Sequence, residues 1–492
     1  MSSQLQAWRA VFSKHFYITF IPVAASLYQL TRALRNGSID AQSLANTCFD
    51  NIASTARNLN AYRVVTNEIG LRAAHAADAT LAATADPGAL CGIPISIKDL
   101  YGVNGLDVFA GSPRAVPERW QRQGPLIDLA RNQLAVITGK THTVEFAFGG
   151  LGVNSHWETP VNPWDNAHHR VPGGSSSGAG VSIISGCALI AFGTDTAGSV
   201  RLPASMTGTV GLKTTFGRWS TDGIFPLSPS LDSAGILTRT VEDAAFAFAA
   251  IDPWVEQSPW QFIDELRSRY THPPAIGTNE PALYENCEAS IVRVIEDVVS
   301  RMEAHGATRI SAPLPEAAMA QELLHKGNVV SAELSEFLAS EMPDWLNTLD
   351  PLVGSRIADG GEISASDWLA RKRLLNHLAS NAATRFDECD VMASATCAIS
   401  PPRLDEVSVV EDYRRANLAA LDNTCVANSL GLCAITLPVG LDHNGMPVGL
   451  QLMAPGGFEE TLLATALWIE DRIGSAVERI GEPPAVSKNA KE

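Results

Sequence analysis

The chain has 492 residues, 46% of them hydrophobic and 18% charged, with 53 acidic against 36 basic side chains and a net charge of −17. That composition supports a large core and excludes a disordered chain, and the negative balance speaks against nucleic acid as a partner. No apolar run reaches the roughly 18 residues of a membrane-spanning helix, so no membrane partner is expected either.

Residues 1–25 read as an N-terminal extension. Arg9 and Lys14 precede the run from Phe16 to Ala25, which loosely resembles a secretory signal but is broken at Pro22. We read it as an apolar arm or the product of an early start codon and expect the chain in the cytoplasm. Residues 26–85 read as helices, with Leu27, Leu30, Leu34 and Ile39 near helical spacing and Gly37 marking the turn to a second helix. Gly92-Ile-Pro-Ile-Ser-Ile-Lys98-Asp99 reads as a buried strand ending in charges, and Pro94 points to an edge or irregular position. A helix over 126–133 and a short buried strand over 134–137 follow. Strands alternating with helices place the chain in the α/β class, with a sheet covered on both faces.

Residues 149–240 are dense in Gly, Ser, Thr and Pro, whereas about 255–390 returns to helix-forming composition. Strands are expected at 390–395, 434–437 and 447–452, with Asp442 to Gly445 as a turn, then a helix over 458–473. Residues 476–492 read as a loose polar tail. The eight cysteines lie mostly in apolar stretches and read as free, buried thiols of a reducing compartment. There is no Cys-x-x-Cys or His-Glu-x-x-His spacing, and His168-His169 stands in a polar loop, so no zinc is expected.

Two motifs fail on inspection. Gly139-Lys140-Thr141 mimics the end of a phosphate-binding loop, but Leu134 stands where that loop needs Gly. Gly174-Ser-Ser-Ser-Gly178 matches a nucleophile elbow, yet His168 to Gly173 cannot form the strand that an elbow needs before it.

A different pairing carries more. The loop from Gly173 to Gly178 leads into a short helix, and an apolar strand then returns to Gly193-Thr-Asp-Thr-Ala-Gly-Ser-Val-Arg201. A nine-residue helix advances about 14 Å and a six-residue strand running back about 20 Å, so Ser175 and Ser199 come near each other although 24 residues apart. Gly193 and Gly198 allow backbone N–H groups to turn toward one point, as an oxyanion hole requires. No histidine lies in either loop. Lys98, at the end of an apolar strand, is the remaining candidate base, with a structural strand-capping role as the alternative.

These segments, with Gly208-Thr-Val-Gly-Leu-Lys-Thr214, Asn162-Pro-Trp164, Ser230-Leu-Asp-Ser-Ala-Gly235, Arg239-Thr-Val-Glu-Asp243 and the C-terminal Pro438-Val-Gly440, resemble the amidase signature family over about residues 26–475. The resemblance is weakest over 255–390. It implies one α/β/α domain with a large mixed, twisted sheet flanked by helices, and hydrolysis of a linear C–N bond in an amide, carbamate or urea. No metal or organic cofactor is implied, and a homodimer is.

Position by position, the resemblance implies Ser199 as nucleophile, Ser175 as bridging serine after a cis Gly174–Ser175 peptide, and Lys98 as base. The N–H groups of Thr196, Ala197, Gly198 and Ser199 would form the oxyanion hole. Asp195 and Arg201 would brace the loop, and Phe146, Ala147, Phe148 and Gly149 would wall the acyl pocket. Ala197 stands where the family usually has Gly, so its methyl would restrict the hole if φ had to be positive there. No arginine stands out for a carboxylate substrate. Two other readings remain. One is the glutaminase component of a glutamyl-tRNA amidotransferase, whose characteristic segment is not matched by Gly223 to Asp232. The other is a catalytically silent binding protein on the same fold.

Overall fold

The computed structural model describes residues 25–487 apart from 271 and 328, so the N-terminal arm up to residue 24 and residues 488–492 lie outside the described part. Eleven strands form one sheet: β1 (Tyr62–Val65), β2 (Pro94–Lys98), β3 (Val136–Thr141), β4 (Ile190–Asp195), β5 (Val210–Lys213), β6 (Ser233–Thr238), β7 (Ala275–Thr278), β8 (Thr308–Ser311), β9 (Val391–Ala395), β10 (Cys433–Leu441) and β11 (Pro447–Ala454). Their spatial order is β1-β3-β2-β4-β6-β5-β10-β11-β9-β7-β8. The sheet is mixed. β2 runs parallel to both β3 and β4, the pairings from β4 through β6, β5, β10 and β11 to β9 are antiparallel, and β9, β7 and β8 are parallel again.

The parallel trio β3-β2-β4 determines where chemistry can happen. Parallel strands deliver their carboxyl ends to one edge of the sheet, where α/β folds place their ligands. Here that edge receives Lys98 at the end of β2, Asp195 at the end of β4 and the segment after Thr141 at the end of β3.

Pro94 does not mark an edge: β2 is central and wholly buried. Proline is tolerated because it is the first strand residue, the register against β3 shifts just after it, and its carbonyl still accepts from Leu189 N at 3.0 Å. The stretch 26–85 contains β1 between its helices. The 255–390 region, read as helical, also supplies β7 and β8, which extend the sheet. The tail is not loose over its described part. Residues Ala476–Ile480 and Pro484–Ser487 are helical, and Val486 packs against Leu59, Ala61 and Val181.

The helix Ser177–Ile184 is buried along its whole length, and it carries no charged side chain. A methyl on Gly180 would lie 2.4 Å from Thr207 Oγ1 of the neighbouring helix Arg201–Thr207. No helix among the described residues is long and apolar enough to cross a membrane. The eight cysteines are free, and all but the half-buried Cys287 are buried.

Candidate active site

Lys98 is 0% exposed and donates from Nζ to Ser175 Oγ and to Thr194 Oγ1, both at 2.7 Å. Burial lowers its pKa to about 7, against the opposing pull of Asp232 and Asp195. Among the described residues no carboxylate comes within 4.0 Å of its ammonium. A lysine so placed is readily neutral, and its nitrogen lies within hydrogen-bond distance of the serine oxygen.

Ser175 follows a cis peptide bond to Gly174. The segment is fixed on both sides: Gly174 N donates to Gly150 O at 2.7 Å, and Val144 N donates to Ser175 O at 3.1 Å. Ser176 N donates to Ser199 O at 3.3 Å, which joins the two loops. Ser199 is 5% exposed and lines a small cavity with Thr196, Ala197, Ala147, Phe148 and Gly149. Lys98, Ser175 and Ser199, singled out from sequence, are thus gathered at one edge of the sheet.

The expected ring of four N–H groups is not uniform. Gly198 N already donates to Asp195 Oδ1 at 2.8 Å. Among the described residues, the N–H groups of Thr196, Ala197 and Ser199 have no protein acceptor. The Ala197 methyl costs nothing, because that residue does not adopt positive φ. Gly198 does, at 135°, and a Cβ there would lie 2.2 Å from Thr424 Oγ1. Gly193 lies inside β4 without positive φ, and its role is space: a methyl would sit 2.9 Å from Ser176 Oγ.

Asp195 and Arg201 hold this loop. Both are fully buried; Arg201 Nη2 donates to Asp195 Oδ1 at 2.9 Å and Nε to Oδ2 at 3.0 Å. Opposed by burial, the Arg201 charge holds the Asp195 pKa well below the usual carboxylate range. The other guanidinium protons reach Thr424 O, Gln451 Oε1 and Asn428 Oδ1, so every arm of the pair is engaged.

Sequence reasoning passed over several residues. Thr194 and Asp232 stand inside quoted motifs without a role. Asp232 accepts from Thr196 Oγ1 at 2.6 Å and from Leu227 N and Ser228 N at 2.9 Å each, and burial raises its pKa to about 6. Thr424, Asn428 and Gln451 come from distant segments and left no local signal. Phe146 differs from expectation. It is fully buried, stacks on Phe225 with centroids 5.3 Å apart, and does not line the cavity, whereas Ala147, Phe148 and Gly149 do. The Glu145–Ala147 turn, with φ of 48° at Phe146, rotates that ring into the core. An arginine was missed as well: Arg356, from the weakly resembling region, lines the same cavity as Ser199.

Comparison with known proteins identifies the family and the fold. The sequence profile of the amidase family matches residues 43–463. The chain is 47% identical over 461 residues to 2-amino-5-chloromuconic acid deaminase of Comamonas testosteroni, covering 93% of this chain and 98% of that protein. It is 33% identical over 470 residues to a glutamyl-tRNA(Gln) amidotransferase component of Carboxydothermus hydrogenoformans, covering 90% and 96%. A crystal structure of an amidase superposes with a TM-score of 0.80 at 25% identity, covering 92% of this chain and all of that one. The chain belongs to the amidase family.

Proposed function

We propose that this amidohydrolase cleaves the C–N bond of a small molecule through an acyl-enzyme on Ser199, with Ser175 and Lys98 relaying the proton. The observation that carries the reading is the 2.7 Å contact between a wholly buried Lys98 Nζ and Ser175 Oγ. Neutral Lys98 accepts the Ser175 proton while Ser175 Oγ takes that of Ser199, whose oxygen attacks the substrate carbon. The N–H groups of Thr196, Ala197 and Ser199 receive the developing oxyanion. The lysine proton then returns through Ser175 to the leaving nitrogen, which departs as amine or ammonia. Water enters by the same relay in reverse roles and frees Ser199.

The relative from Comamonas testosteroni is named a deaminase, which favours ammonia as the leaving group. The amidotransferase relatives are more distant, at 30–33% identity. The reading includes a cytoplasmic location, supported by eight free cysteines, and a homodimer, carried by family resemblance alone. A hydrolysis screen over small primary amides, carbamates, ureas and amino-substituted acids tests it. Ammonia release that disappears in Ser199→Ala is the expected result, and turnover that survives in that variant overturns it.

A further inference from the structure

The cavity beside Ser199 is lined mainly by apolar residues, among them Phe148, Leu227, Leu324 and Leu421, yet Arg356 also lines it. A second, outer cavity shares Phe148, Leu324 and Arg356 with it and adds His325, Asp359 and Arg414. Arg356 therefore stands at the junction between the outer cavity and the serine.

Its partners are neutral. Nη1 donates to Phe148 O at 2.9 Å, and the guanidinium carbon lies 3.8 Å over the Phe148 ring. Among the described residues, Arg356 makes no ion pair, whereas the other charges lining the outer cavity are spoken for. Arg414 pairs with Asp359 at 2.8 Å, and His325 with Asp422 at 2.5 Å. Burial is the main influence on Arg356 and disfavours its charge; Arg414 adds to that, while Tyr413 and Asp359 oppose it. Arg356 is half-buried with no carboxylate within 4.0 Å among the described residues, and the planar fork of its guanidinium matches a carboxylate.

The group is also held in place. Arg356 is on the helix Pro351–Gly361, whose leading residue Asp350 donates its N–H to the buried Glu145 carboxylate at 2.7 Å and accepts from Ser155 N at 3.0 Å. That fastens the helix to the segment carrying Ala147 and Phe148, so guanidinium and serine keep a fixed relation.

We infer that Arg356 anchors a carboxylate of the substrate, so that the preferred substrate is a small amide-type molecule with an anionic group at the end remote from the scissile C–N bond. The inference rests on Ser199-centred hydrolysis for its kinetic arm, and a binding arm separates the two. The kinetic probes are monoamides of four- to six-carbon dicarboxylic acids against linear alkyl amides of matching length. Wild type should favour the anionic member by about 10- to 100-fold in kcat/KM, chiefly through KM, the usual worth of a hydrogen bond to a charged group. Arg356→Gln should bring that ratio to within about threefold of one, and Arg356→Lys should restore part of it. A wild-type ratio near one overturns the anchor while leaving amide hydrolysis standing.

For the binding arm, glutarate or adipate should slow fluorophosphonate labelling of Ser199 in wild type and not in Arg356→Gln, with Arg356→Lys intermediate. If no amide is turned over but this protection is present, the hydrolytic reading fails and the carboxylate site stands. Absence of protection in wild type, or equal protection in Arg356→Gln, overturns the site.

Discussion

Asp232 and Lys98 bear on each other at the carboxyl edge of the sheet. The Asp232 charge raises the Lys98 pKa, while burial lowers it further and leaves it at about 7; Lys98 in turn lowers an Asp232 pKa that burial has raised to about 6. The carboxylate thus tempers how easily the amine loses its proton. Asp232→Asn removes that charge and should lower the Lys98 pKa. The neutral amine then persists at lower pH, so the acid limb of kcat/KM should move to lower pH. A pH–rate profile of the variant checks this, and an acid limb moved upward would contradict the pairing.

The wild-type profile follows from the same residue. Lys98 acts as a base only when neutral, so activity should rise with pH through about 7 and persist on the alkaline side. Lys98→Ala should lower amide turnover by roughly two to four orders of magnitude, the usual scale for a general base. Esters should suffer less, because an amide nitrogen must be protonated to leave and an ester oxygen needs that proton less. Near-normal amide turnover with an unchanged acid limb would place the base elsewhere.

Ser199 should carry the covalent intermediate. It lines the cavity and adjoins three N–H groups without protein acceptors. Peptide mapping after a fluorophosphonate probe, or after acid quench with a slow substrate, should find the adduct on the Ser199 peptide. An adduct on Ser176 would revive the nucleophile-elbow motif.

Much of this site was legible because its parts are local. Lys98 ends an apolar strand, and Gly193 to Arg201 is a short run whose glycines and serine carry their geometry within a few residues. Parallel pairing of β2 with β3 and β4 then brings those runs to one edge, which alternating strand and helix patterns foreshadow. Residues whose role is a contact across the chain were not legible. Thr424 meets Ala197 O from 227 positions away, and Asn428 and Gln451 reach Arg201 over separations of 227 and 250. Arg356 sits on a short helix with no motif around it, and only folding places it against Phe148. Phe146 misled for a local reason, since a turn with positive φ reverses the alternation that an extended segment would have.

The brace beneath the loop is a stability element. Arg201→Met would leave the Asp195 carboxylate buried with only neutral donors, a loss on the order of 3–5 kcal/mol for breaking a buried ion pair. Denaturant unfolding should show the midpoint shifted accordingly. A shift below about 1 kcal/mol would mean that water or a rearranged Asn428 replaces the guanidinium.

Gly198 gives the most geometric test of the oxyanion loop. Its φ of 135° is rarely open to a side chain, and its missing Cβ leaves room for Thr424, whose Oγ1 donates to Ala197 O at 2.7 Å. Gly198→Ala therefore opposes two things at once, a backbone conformation and a 2.2 Å approach to Thr424 Oγ1. The loop must shift, and the N–H groups of Ala197 and Ser199 lose their common aim. Loss of one such donor lowers kcat by about 10²–10³, so a fall of that order with KM little changed is expected. Adding Thr424→Gly, which removes both the Oγ1 at 2.2 Å and the Cβ at 2.6 Å, relieves the steric conflict but not the backbone one, and should recover only part of kcat. Full recovery in the double variant would show that space alone requires glycine here, and wild-type kcat in Gly198→Ala would remove this loop from transition-state stabilisation.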